Sequence, residues 1–174
     1  WLPQETIAFS GCKAALATRV ELEPGARFIG MEVLSLGRPA AGEHFAHGRL
    51  KQRLEIFRTG ERLLVEQLRL TGGGPELSQA WGLAGHSTVG TLVAVSGLTP
   101  ELWARRAPEL VQRVRDEVAP LGGLTAVTEV AGAIVCRFLG DGSRQAHVVL
   151  RRAWELVRPE LTQSPAVAPR IWAT

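Results

Sequence analysis

The stretch Ala14-Ala15-Leu16-Ala17-Thr18-Arg19-Val20-Glu21-Leu22 decides the fold class. Ala14, Leu16, Thr18, Val20 and Leu22 fall on one side of it, and Ala15, Ala17, Arg19 and Glu21 on the other. Alternation with a period of two marks a half-buried strand, because successive side chains of a strand point to opposite faces. The same reading extends outward. Glu23-Pro24-Gly25-Ala26 is a turn, since Pro presets φ and Gly accepts positive φ. Residues 28–36 are predicted to form the next strand. Further on, Leu50, Leu54 and Ile56 share one face while Lys51, Arg53 and Glu55 take the other. Arg58-Thr59-Gly60-Glu61 reads as a hairpin turn into a strand over residues 63–70. Short connections between successive strands predict mainly antiparallel pairing.

Thr71-Gly72-Gly73-Gly74-Pro75 interrupts the strands. It lacks the spacing and the lysine of a phosphate-cradling loop, so it reads as a flexible connection with a short helical turn over residues 76–81. Residues 87–96, rich in Val and Thr, return to a strand. Helices come late. Thr99-Pro100-Glu101 supplies an N-cap followed by Pro at the first helical position. Pro108 has no N–H to donate, so a break is expected there, with a better helix over residues 108–119. Leu110, Val111, Val114 and Val118 form its apolar stripe. Residues 124–130 and 133–139 read as strands around Gly132. Gly140-Asp141-Gly142-Ser143 leads into a second helix ending near Arg158, with Leu150, Trp154 and Val157 on one side. Pro159, Pro165 and Pro169 predict an extended tail, which either docks on a partner or pins the C-terminus to its own sheet. The expected architecture is mainly β with two late α-helices, in one domain over residues 1–174.

Hydrophobic content of 45% is enough to build a core. No run of 18 apolar residues exists, which predicts no membrane span. Two distant cysteines, Cys12 and Cys136, form no CxxC pair and suit a reducing cytoplasm. The formal net charge is only +3, and basic and acidic residues interleave, which argues against nucleic acid as a partner.

Chemistry has few footholds. No G-x-S-x-G elbow or zinc pattern occurs, and without a Walker motif the chain is not expected to hydrolyse a nucleotide itself. Cys12 is either a nucleophile or a small buried hydrophobe. His44 and His47 stand three apart beside Glu43, but Gly42 and Gly48 flank them and predict a loop. They form a weak metal site or two exposed loop histidines. Two carboxylates stand out more. Glu32 shares a face with Phe28, Leu34 and Leu36, and Glu66 with Leu64, Leu68 and Leu70. An acid on an apolar face is costly unless it is paired, hydrogen-bonded or wet. Each therefore pairs with an arginine such as Arg38 or lines a hydrated passage. Glu5 is a third candidate.

Four segments in order carry a resemblance. Leu2-Pro3-Gln4-Glu5-Thr6 opens the chain. Glu32, Gly37-Arg38 and Gly42-Glu43 follow, then Val89-Gly90-Thr91, and Pro169-Arg170-Ile171-Trp172 closes it. This ordered set resembles the urease accessory protein D family (UreD). The likeness covers the chain except for the family's glycine-rich N-terminal region, about a third of a usual member. Cys12 departs from the family pattern.

The resemblance implies a β-rich fold with a helical, stacked arrangement of strands and two helices. It implies a non-enzyme that links apo-urease to the accessory proteins F and G, the latter a GTPase, and passes nickel through an internal channel. No tightly bound cofactor is expected; Ni2+ would be transient cargo. On that reading Glu5, Glu32 and Glu43 line or gate the path and Arg38 fixes a carboxylate. Pro3, Gln4, Thr6, Gly37, Gly42, Arg170 and Trp172 are supporting motif residues. The competing expectation is a general β-rich protein-binding domain without metal transit.

Overall fold

The structure is a computed structural model that describes residues 1–173; Thr174 and the Ala173 side chain lie outside the described residues. The elements in chain order are β1 (Thr6–Ala8), β2 (Lys13–Leu22), β3 (Phe28–Arg38), β4 (Glu43–His44), β5 (Arg49–Arg58) and β6 (Glu61–Thr71). They continue as α1 (Pro75–Ser78), β7 (Thr88–Val95), α2 (Pro100–Val118), β8 (Leu124–Val130), β9 (Ala133–Gly140) and α3 (Ser143–Thr162). The fold is β-rich with two long, late helices.

The strands form two sheets. One runs β1-β3-β7-β9-β8, with β4 paired to the end of β3; the other runs β2-β5-β6. The larger sheet is the middle of three layers. Its one face packs on α2 and α3 through Met31, Val33, Leu92, Val114, Leu150 and Trp154, among others. Its other face packs on the smaller sheet. Helix α3 lies close because β7 carries Gly90, where an added Cβ would stand only 3.0 Å from Leu150 Cδ1.

The predicted turns occur where expected. Thr59 and Gly60 both take positive φ (50° and 81°), which closes the β5–β6 hairpin with the strand twist that favours such turns. Ala131 and Gly132 do the same between β8 and β9. Pairing is mostly antiparallel, with two exceptions. β1 runs parallel to β3, and β2 runs parallel to β5. The 23–26 turn joins β2 to β3 without pairing them; it carries the chain from the small sheet to the large one. Stacking lets both strands bury their inner faces, and Val20 and Leu22 share a cluster with Phe28. Arg58 fastens the crossing by donating from Nη2 to the carbonyls of Ala26 (3.1 Å) and Ser96 (2.7 Å).

Pro108 does not break α2, contrary to the expectation above. The helix runs through it because Trp103, Ala107, Leu110, Val111, Val114 and Val118 form one buried stripe on both sides of the proline. Pro108 itself faces solvent, so the missing hydrogen bond falls on the wet side. Helix α3 likewise continues past Pro159 to Thr162. The tail folds home. Trp172 is buried edge-on against Trp154, with ring centroids 5.2 Å apart, and the Arg151 guanidinium lies 4.4 Å from the Trp172 ring centre. An edge-to-face aromatic pair adds about 0.5–1.5 kcal/mol beyond burial. Gln4 Nε2 donates to the Ile171 carbonyl at 2.6 Å, tying the first segment to the last.

The helix tolerates Pro108 at a cost. Pro108→Ala should return an N–H to the Ala104 carbonyl and raise unfolding free energy by about 1–2 kcal/mol, the helical gain less the lost rigidity of the unfolded chain. Urea denaturation reads this directly, and an unchanged midpoint would mean that α2 bears no penalty at the proline.

Candidate functional site

The space between the sheets holds two apolar clusters with a polar belt dividing them. One cluster contains Leu54, Leu64, Val93 and Val135, joined by Val20 and Phe28. The other contains Leu34 and Leu50, joined by Leu16, Leu68, Val89 and Leu139. On each of six strands a polar residue lies between the two clusters: Thr18, Glu32 (beside Gly30), Gln52, Glu66, Thr91 and Arg137. Register aligns them. In the large sheet Glu32 stands opposite Thr91, and Thr91 opposite Arg137. In the small sheet Gln52 opposes Leu68 and Glu66 opposes Leu54, so the two polar residues are diagonal neighbours.

A cavity of about 190 Å³ opens along this belt, lined by Glu32, Gln52, Glu66, Thr91 and Arg137, with Trp1 at its wall. Glu32 accepts from Thr18 Oγ1 on one oxygen and from Gln52 Nε2 on the other, both at 2.7 Å. Both donors are neutral, and Glu32 forms no salt bridge among the described residues. Glu66 is held differently. Arg137 reaches across from β9 with Nη2 on Oε1 and with Nε 3.4 Å from Oε2. This pair stands at the outer end, with side-chain exposures of 45% for Arg137 and 24% for Glu66. Both acids line the cavity; Glu66 also pairs with an arginine, Arg137, and Glu32 with a hydroxyl and an amide.

Glu5 and Glu43 stand apart from it. Glu5 faces the helix layer, where Ser143 Oγ donates to it at 3.2 Å and His147 Nε2 lies 3.3 Å away. Its own backbone N–H chiefly holds its carboxyl below the ordinary carboxylate range; burial opposes this, and His147 and Ser143 add to the lowering. Glu43 forms an exposed two-point ion pair with Arg38, at 2.7 and 2.8 Å, which lowers its pKa. Arg38 therefore fixes Glu43 rather than Glu32. The glycines beside it shape that hairpin. Gly37 has φ +75°, and a Cβ there would collide with the Glu43 carbonyl oxygen. Gly42 adopts φ 73° and closes the short turn on the Pro39 carbonyl at 2.9 Å.

The remaining candidates sit at the periphery. His44 and His47 are exposed on either side of buried Phe45. Among the described residues no three His, Cys, Asp or Glu side chains are grouped to hold a metal ion. Pro3 and Thr6 flank Glu5, and Thr6 lies in register with Leu34. Arg170 is exposed on the 3-10 turn that carries Trp172. Cys12 packs half-buried against the Leu34 cluster. Cys136 faces the helix layer, and burial pushes its thiol up to about 12. His86 Nδ1 lies 3.1 Å from Asp141 Oδ2.

The family model for the UreD urease accessory protein matches residues 1–173. The chain belongs to the UreD family. It is 40% identical over its full length to urease accessory protein UreD 2 of Brucella anthropi and covers 61% of that protein. It is 36% identical to UreD of Citrobacter koseri and 37% identical to UreD of Dechloromonas aromatica, covering 56% and 59% of them. It thus spans a little over half the length of the curated relatives it matches.

Arg137, Gln52 and Thr18 were not among the candidate site residues read from the sequence, and Thr91 entered only within the Val89-Gly90-Thr91 segment. A signal existed: each lies at an apolar-face position of its strand, as Arg137 does between Val135 and Leu139. Applying to every strand the test that exposed Glu32 and Glu66 finds the whole belt.

Glu5 gives a pH prediction. Because its folded pKa lies below the unfolded value, its contribution to stability is complete above the ordinary carboxylate range and fades as pH falls through the lowered value. Stability of the parent chain should drop between about pH 5 and pH 3 more steeply than that of Glu5→Gln. Parallel pH profiles in urea unfolding would remove Glu5 from that account.

Proposed function

We propose that this chain serves urease maturation as a non-catalytic scaffold in the cytoplasm, contacting apo-urease and the accessory proteins F and G and helping nickel reach the urease active site. One observation carries the reading: a belt of carboxylate, amide and hydroxyl groups crosses an otherwise apolar sandwich and opens a cavity along it. Packing alone gives no reason for six strands each to place a polar residue at one level, since every such group must be hydrogen-bonded or wet to escape its desolvation cost. A cation route needs such groups. It must admit the ion and also release it.

Oxygen donors suit that task. Thiolates and imidazoles hold nickel more firmly, and none lines the cavity among the described residues. Glu32 carries the central role, since both of its oxygens are engaged only by neutral donors that a cation can displace or share. Glu5 and Glu43 do not line this cavity; in this reading Glu5 braces β1 against α3, and Glu43 closes the β3–β4 hairpin with Arg38.

The test is Glu32→Gln, which keeps the shape and removes the charge; its carbonyl can still accept from Gln52, and the Thr18 hydroxyl can turn to accept from its amide. It should fold with unchanged circular dichroism and slow nickel-dependent activation of urease several-fold when combined with apo-urease, the F and G proteins and Ni2+. Activation at the parental rate would sink the transit reading and leave a protein-binding scaffold.

A further inference from the structure

The two acids of the belt are held by different chemistry, and the difference has a direction. Glu32, toward the interior, meets a hydroxyl and an amide. Glu66, toward the opening, meets a guanidinium that touches both of its oxygens. The Arg137 side chain comes from the opposite sheet and is itself a cavity-lining group. An ion pair this exposed contributes little to stability. Its electrostatic effect on a charged guest is larger, because Glu32, Glu66 and Arg137 all line the one cavity such a guest would enter.

We propose that Arg137 is an electrostatic plug at the mouth of the belt cavity. Its guanidinium occupies the carboxylate that an entering divalent cation would take, and so keeps cation binding weak and reversible. The inference rests on the transit reading above and adds its control. With Arg137 in place, the three charged groups of the cavity sum to −1; without it they sum to −2. A cation that displaces the guanidinium from Glu66 gains one carboxylate but stays beside a positive charge. The ion is therefore admitted without being retained. Arginine suits this work because its planar guanidinium faces both oxygens of one carboxylate at once.

The experiment is a titration of the purified chain with Mn2+, followed by the loss of the free-ion paramagnetic resonance signal. Ni2+ competition then reports the native cargo. Arg137→Met keeps the aliphatic stem and removes the charge; it should bind Mn2+ about tenfold more tightly than the parent, the effect of deleting one nearby positive charge in a solvent-accessible site. Adding Glu66→Gln to that variant should return affinity to the parental level or below. Arg137→Gln provides the same comparison if the methionine variant does not fold. Equal affinity of parent and charge-deleted variant overturns the plug. So does tighter binding that survives Glu66→Gln, since the ion would then sit elsewhere. The transit reading fails on a separate measurement, urease activation by Glu32→Gln, so the two can fall independently.

Discussion

Charge set between two sheets has to be answered where it stands. A carboxylate there is partly withdrawn from water, and leaving it unpartnered carries a desolvation cost. Thr18 and Gln52 answer Glu32, and Arg137 answers Glu66. These contacts cross from one sheet to the other, so they also fix how the sheets stack. A one-residue slip of any contributing strand would turn its polar residue to the opposite face and bring an apolar or outward-facing one to the belt. Register, stacking and the cavity are therefore one arrangement, with apolar clusters on either side excluding water from everywhere else.

Much of the framework was legible in the chain. Alternation located the strands, and the Gly-containing turns located the hairpins, because those are local properties. Partnership was not local. The β2–β3 turn has the look of a hairpin, yet the strands it joins belong to different sheets, and β2 finds β5 across 26 intervening residues of sequence, in parallel. Pro108 misled for a related reason. Its local effect on hydrogen bonding is real, but the buried stripe running from Trp103 to Val118 outweighs it, and the defect faces water.

The candidate site divides in the same way. Glu32 and Glu66 were visible as acids on apolar faces, since that anomaly lies within one strand. Which arginine would answer Glu66 depended on β9 folding beneath β6, 71 residues away, and no spacing rule reaches so far. The family-like segments meanwhile turn out to be of mixed kind. Gly37, Arg38, Gly42 and Glu43 build a hairpin, and Gln4 and Trp172 tie the two ends together over α3. Glu32 and Thr91 face the cavity. A motif read as one functional unit is here split among bracing, joining and lining.

The donor chemistry of the belt limits what it can do with an ion. Carboxylate, amide and hydroxyl oxygens are hard ligands, and a borderline cation such as nickel binds them less firmly than nitrogen or sulfur. The nearest buried thiol, Cys136, sits next to Arg137 in sequence but points to the other face of the sheet, and its burial keeps it protonated. Alternation along β9 thus places a guanidinium toward the cavity and the sulfur away from it. Had the register of β9 been reversed, a thiol would face the acids and an arginine would be driven into the helix layer. The observed phase turns the thiol toward the helix layer and the guanidinium toward the cavity mouth, as the proposed transit role requires.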